Sequence, residues 1–277
     1  MIIDIHTHVY PEKIVDKAIG VLEKNSGIKA RVDGRKESLR RSMKEAGVDY
    51  SVLLPVATSP KQVDRINAEA GETNAHARET GLLSFGGIHP DTENYKEELR
   101  RVKALGLKGI KLHPDYQDAF FDDIRYKRIV AEATEQGLYI IVHAGEDIGL
   151  PEPVHCRPQH VLELIRDTQT DKLILAHMGG WRLWDEVEEL LAEQPVMIDT
   201  AFTQEYIQGV SGLLDEEQFI HLVRVFGAHR VLFGTDSPWS DQKESVEWLR
   251  KIDLTEKEKE QILAENARKI LYVEERI

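Results

Sequence analysis

The chain has 277 residues, and 36 Lys+Arg against 49 Asp+Glu leave a formal charge of −13 at pH 7. At 41% hydrophobic and 31% charged it is too apolar for disorder, and with no Lys/Arg block its acidity argues against nucleic acid or an anionic membrane as partner. The single cysteine, Cys156, excludes a disulfide framework, no apolar run approaches the ~18 residues of a membrane span, and Met1–His6 lacks a basic leader, so a cytosolic chain is expected.

In chain order, Ile2–Thr7 reads as a strand, Glu37–Ala46 as a helix, Tyr50–Pro55 as a strand, Val63–Glu79 as a helix and Leu82–Ile88 as a strand. Helix Tyr95–Ala104, strand Leu107–Leu112, helix Arg125–Glu135, strand Leu138–His143, helix Gln159–Asp167 and strand Lys172–His177 follow. The last runs are strand Val196–Asp199, helix Glu216–Phe226, strand Arg230–Thr235 and the closing helical stretch Thr255–Leu271, which begins with a capping-box pattern of Thr255 and Glu258. Most strands are nearly continuous in apolar residues, as strands buried on both faces of a parallel sheet must be. Gly47, Gly81, Gly106, Gly137 and Gly227 stand where helix C-caps are expected. Eight strands alternating with helices predict an α/β fold, a closed (β/α)8 TIM barrel forming one domain over residues 1–277, with an open doubly wound sheet as the runner-up.

Four of the eight strands end in residues able to bind a metal. The first reads Asp4-Ile5-His6-Thr7-His8, the fifth ends in His143, the sixth in His177, and the eighth runs into Asp236. In a barrel the C-terminal strand ends meet at one mouth. His6 and His8, two residues apart, point to one side and lie roughly 6.5–7 Å apart along the strand. Strand eight closes against strand one, which sets Asp236 beside that pair. His143 then approaches from the opposite side, with His177 on the neighbouring strand. An isolated His-x-His is a weak signal, and it is the convergence of five such groups that points to a metal. Imidazole nitrogens with one carboxylate oxygen suit Zn²⁺ first, with Mn²⁺, Co²⁺ or Fe²⁺ as alternatives.

The Asp-Ile-His-Thr-His start, Val142-His143-Ala144-Gly145-Glu146, Ala176-His177-Met178-Gly179-Gly180 and Gly234-Thr235-Asp236-Ser237-Pro238-Trp239 resemble the amidohydrolase superfamily. More narrowly they resemble its compact metal-dependent hydrolase and decarboxylase branch, the aminocarboxymuconate semialdehyde decarboxylase-like group. Glu265-Asn266-Ala267-Arg268-Lys269 is similar to that branch's C-terminal signature. The resemblance covers essentially the whole chain and implies one divalent metal held by His6, His8, His143 and Asp236, with His177 acting beside it. In a hydrolase the ion lowers the pKa of a water to about 7. Asp236 shuttles the proton and His177 polarises the carbonyl. In a decarboxylase the ion holds the substrate, and Asp236 or His177 protonates the carbon.

Weaker signals surround this set. Lys111 and His113 end the fourth strand on one side. Lys111 reads as a carboxylated bridge between two metals, which the resemblance to some superfamily members implies, as an ammonium that meets a substrate carboxylate, or as a structural ion-pair partner. The second reading is preferred: it leaves one metal and places the amine further out. His89, Arg157 and Trp239 are further candidates for the substrate pocket, each with a structural reading beside it. Trp181 and Arg182 are similar. Glu146 and Asp147 read as a solvated loop, Cys156 as a bystander, and His76, His160, His221 and His229 as lying away from the mouth. No phosphate-binding glycine loop is present, so a nucleotide cofactor is not expected. The leading reading is a hydrolase of an amide, lactone or ester of a small polar acid, and the second a non-oxidative decarboxylase of a small aromatic or enoic acid. A metal-stabilised scaffold without activity is the third. The expected partner is a small molecule bearing a carboxylate, and a homo-oligomer is left open.

Overall fold

The strands of a computed structural model, which describes residues 1–150, 152–207 and 209–274, lie close to those expected. They are β1 (Ile3–Thr7), β2 (Tyr50–Leu53), β3 (Leu82–Ser84, continued as Gly86–Gly87), β4 (Gly109–Leu112), β5 (Tyr139–Val142), β6 (Leu173–Leu175), β7 (Met197–Asp199) and β8 (Val231–Leu232). Each pairs in parallel with the next, β3 through its first half to β2 and through its second to β4. The ring closes through residues beyond β8: the Ile5 amide donates to the Phe233 carbonyl (2.9 Å), the Asp236 amide to that of His6 (2.8 Å) and the His8 amide to that of Ser237 (2.6 Å). The fold is a (β/α)8 TIM barrel. Strand eight is much shorter than the sequence suggests, because its seam is made by turn backbone.

The helices follow the expected spans, among them α2 (Lys36–Ala46), with a break at His76 that separates α3 (Val63–Ala75) from Ala77–Thr80. Three helices without a clear sequence pattern are added: α1 (Val15–Ser26), Trp184–Leu191 and Gln242–Lys251. Gly47 and Gly81 are left-handed C-caps, whereas Gly227, at φ 79° and ψ 132°, takes a positive-φ conformation, outside the αL region, that glycine alone adopts readily. The C-terminal stretch is Glu256–Glu260, a π turn at Gln261–Glu265, and Asn266–Leu271. Its Asn266 side-chain amide donates to the carbonyls of Ala228 (2.7 Å) and Val231 (2.8 Å), fixing the helix beneath β8.

Two apolar layers follow from strand alternation. Ile110, Ile140, Val142, Leu175, Ile198 and Val231 face outward against the helices. Ile3, Ile5, Val52, Phe85, Ile141, Ile174 and Leu232 fill the barrel, plugged from below by Ala267, Ile270 and Leu271. With Ile3 and Ile5 inside, strict alternation would aim His6 outward. It does not, because β1 is bulged: Asp4 faces Ser51 and Thr7 faces Leu53, three steps on β1 against two on β2. The extra residue turns His6 inward, a common use of bulges beside active sites.

The bulge is held by Asp4, which is fully buried. Its carboxylate accepts from the amides of His6 (3.2 Å) and Thr235 (3.0 Å), the Thr235 hydroxyl (2.6 Å) and the Gln242 side-chain amide (2.7 Å). Burial pushes its pKa up to about 7, against the pull of these four donors. Replacing Asp4 by Ala strands several buried donors at once, so unfolding in urea should show a loss of about 3 kcal/mol at unchanged slope. A loss under about 1 kcal/mol would show that the network does not secure the seam.

Candidate metal centre and active-site mouth

His6, His8 and Asp236 converge. His6 Nε2 lies 3.2 Å from His8 Nε2, and Asp236 Oδ1 is 3.5 Å from the first and 3.2 Å from the second. These separations match the edge of about 3.3 Å expected between donors on a tetrahedral ion with bonds of ~2.0–2.1 Å. The tautomers agree. His6 Nδ1 donates to Asp199 Oδ2 (2.8 Å) and His8 Nδ1 to the Leu54 carbonyl (2.9 Å). Both Nε2 atoms therefore present lone pairs to the same point, with their outer nitrogens anchored as in established metal sites. Two lone pairs and a carboxylate oxygen at this range repel one another unless a cation lies among them. The residues fit a divalent metal.

The backbone supplies this convergence at some cost. Asp236 and His177 both adopt positive φ, 64° and 61°, a conformation costing on the order of 1–3 kcal/mol for non-glycine residues. Gly234 lets β8 approach: a Cβ there would lie 2.9 Å from His6 Cβ. Burial alone would raise the pKa of Asp236, but the imidazoles of His8, His6 and His177 gathered around it outweigh burial and hold it below the usual carboxylate value. Burial lowers His6 well below the usual imidazole value, helped by Lys111, so the ring stays a neutral ligand.

His143 and His177 share the mouth. His143 Nδ1 faces His177 Nε2 at 3.0 Å, while their other nitrogens donate to the carbonyls of Glu146 (3.3 Å) and Ala201 (2.8 Å). The facing nitrogens again both carry lone pairs, so this gap also calls for a proton or a cation. His143 has a second set of neighbours, His113 and Asp147. That group is a poor metal site: the His113 and His143 rings stack at 4.1 Å and 8°, and no ion can lie in both ring planes. Asp147 Oδ2 lies 3.3 Å from His113 Nε2, which makes the carboxylate part of the wall and not the solvated loop expected from sequence.

Lys111 is buried with Nζ 3.5 Å from His6 Nε2, closer to the metal-competent trio than the expected outer position. Desolvation lowers its pKa to about 8, while Asp199 and Asp236 draw it upward. The two carboxylates explain how an ammonium is tolerated there. Lys111, His113, Trp181 and Trp239 line one cavity of about 1060 Å³ with the metal-binding trio, His143 and His177. His89 and Arg157 stand outside it. His89 Nδ1 accepts from the Asp91 amide (3.1 Å), and the Arg157 guanidinium pairs with Glu186 (2.5 Å), so both serve loop and helix structure. Asp199, which anchors His6 and also accepts from the amides of His177 and Ala201 (both 3.0 Å), was not singled out by the sequence reading. Its signal was present, as the polar end of the strand Val196–Asp199.

The family model for amidohydrolases matches residues 3–272, and the chain belongs to that family. It is an enzyme family member with a TIM-barrel fold, and among the described residues no helix is long and apolar enough to cross a membrane. The chain is 25% identical over 218 residues to the gamma-resorcylate decarboxylase of Rhodococcus jostii, a match spanning 64% of this chain and 66% of that enzyme. Its fold is similar to that of 5-carboxyvanillate decarboxylase from Sphingomonas paucimobilis, with a TM-score of 0.68 at 16% identity, covering 99% of each chain. It is also similar to a dihydroxybenzoic acid decarboxylase from a Polaromonas species, solved with manganese and 2-nitroresorcinol, with a TM-score of 0.71 at 18% identity over 98% of this chain and 96% of that one.

Because Asp199 fixes the His6 tautomer, Asp199→Asn should weaken binding of Mn²⁺ or Zn²⁺ by ~10–100-fold in calorimetric titration. Unchanged affinity would show that the metal does not use His6 Nε2.

Proposed function

We propose that the protein is a metal-dependent, non-oxidative decarboxylase of small hydroxylated aromatic carboxylic acids. The observation that carries this reading is the match to a resorcylate decarboxylase over 218 residues, in a chain whose metal-competent trio stands beside a buried lysine. Hydrolysis, placed first from the sequence, becomes the second reading, since the relatives described above are carboxy-lyases. His6, His8 and Asp236 would hold one divalent ion, Mn²⁺ or Zn²⁺, with His143 as the fourth ligand. When bound, the ion supplies positive charge that orients and polarises an acidic substrate.

The chain's own residues account for the remainder. Lys111 offers a desolvated point charge for a carboxylate or phenolate. Non-oxidative decarboxylation needs a proton at the ring carbon that bears the carboxylate. The C–C bond then breaks, its electron pair restores the ring, and carbon dioxide leaves. His177 is suited to deliver that proton: Nδ1 is committed to the Ala201 carbonyl, which leaves Nε2 to carry a proton toward the cavity. Asp236 is the other group in reach of the substrate. Trp181, Phe202 and Trp239 wall the cavity beside these residues.

With metal-loaded protein and 2,6-dihydroxybenzoate in deuterium oxide, carbon dioxide should be released and one deuterium should appear on the ring carbon. Release of product carrying oxygen from labelled water, from lactones or amides and without carbon dioxide, would establish the hydrolytic reading instead. His177→Asn should retain the metal and lose turnover by ~10²-fold or more. Lost metal in that variant would make His177 a ligand. Lys111→Met should raise KM for the acid with metal content unchanged, and an unaltered KM would remove Lys111 from substrate binding.

A further inference from the structure

The cavity is far larger than the proposed reaction requires. A benzene ring fits a void of about 150 Å³, whereas this one measures about 1060 Å³, at the top of the ~300–1,000 Å³ range of small-molecule pockets. Its excess volume has a mixed lining, in which Lys17, Lys36, Glu37, Arg65, Glu69 and Glu72 contribute charge and one continuous apolar stripe stands out. From the metal-binding residues the lining continues without a break onto α1, where Ile14, Ala18, Val21 and Leu22 face it, and across to Ile66 of α3 and Ile148 of the loop after β5. The first three recur at i, i+4 and i+7, one face of a helix.

Among the described residues that face is only partly covered, Ala18 and Leu22 being half-buried. Of the residues of α1 only Val15 is buried, and Ile14 and Val21 are each 48% exposed. An apolar stripe open to the cavity is a standing source of burial energy for whatever fills it. A second copy of the chain would cover such a stripe from outside. Here the stripe is turned toward the same space that His6, His8 and Lys111 bound, which favours an occupant that also reaches the metal. From Ile14 to Leu22 the stripe runs about 12 Å, eight residues at ~1.5 Å each.

We infer that the substrate is an aromatic acid carrying an extended hydrocarbon arm, whose carboxylate lies at the metal and whose arm lies along α1. This rests on the decarboxylase reading for the acid end only. The arm is recognised by burial, so affinity should grow with its length and stop growing when the stripe is covered.

The test is binding of 2,6-dihydroxybenzoate and its 4-alkyl homologues, from methyl to dodecyl, to the metal-loaded protein by calorimetry. Each methylene is expected to lower Kd by roughly 2–4-fold, in line with up to ~0.8 kcal/mol per buried CH₂, levelling off at about eight to ten carbons, the span set by the helical rise. Val21→Glu and Ala18→Glu should flatten the series. A Kd independent of chain length, or a slope that survives both substitutions, would overturn the inference. Carbon dioxide is measured in parallel. Long-chain acids that bind more tightly yet release none would overturn the decarboxylase reading and leave the arm site standing. Turnover of the unsubstituted acid with no gain along the series would do the reverse.

Discussion

One extra residue in β1 decides whether this barrel has an active site. The inner face of β1 is apolar at Ile3 and Ile5, and a regular strand would continue that parity and send both histidines outward among the helices. The bulge after Asp4 reverses the parity for the rest of the strand. Asp4 stabilises the bulge from behind, accepting from the His6 amide at the distortion. The same carboxylate binds Thr235 next to Asp236, so one buried group sets both sides of the seam from which the metal donors project.

From that constraint the electrostatics of the mouth follow. His6 and His8 are each fixed by an acceptor behind the ring, and both present lone pairs forward. His143 and His177 repeat the arrangement across the mouth. Crowded lone pairs are unfavourable without a cation, and positive charge is what the site invites. Lys111 meets part of this demand, its Nζ beside His6 and within the field of the Asp199 and Asp236 carboxylates. An anionic substrate is the natural complement of an ion and an ammonium placed side by side in a desolvated cavity.

Most of the barrel was legible in the sequence because parallel strands buried on both faces leave continuous apolar runs, and the metal-competent residues at their ends announced the mouth. The pairing of His6, His8 and Asp236 followed from strand order alone. Other features were hidden for definite reasons. The bulge has no mark in composition, since Ile5-His6-Thr7 alternates as well as any strand. The helix α1 buries almost nothing, so its pattern carries little of the core signal that reveals helices. Asp199 was visible as a strand-terminal carboxylate, but its role is to hold another side chain, and spacing shows which residues share a face, not which ones touch. For His89, at a strand end, and Arg157, in a loop, position near the mouth does not separate a pocket role from a structural one; their side chains are engaged with the Asp91 amide and Glu186.

The central claim is that the bulge delivers two imidazoles, through Nε2, to one divalent ion alongside Asp236. X-ray absorption on protein loaded with one equivalent of Mn²⁺ or Zn²⁺ tests it most directly. The account predicts a nitrogen and oxygen shell at about 2.0–2.2 Å with multiple scattering from at least two imidazoles, reduced in His8→Ala. A shell of oxygen atoms alone, unaltered in that variant, would contradict it.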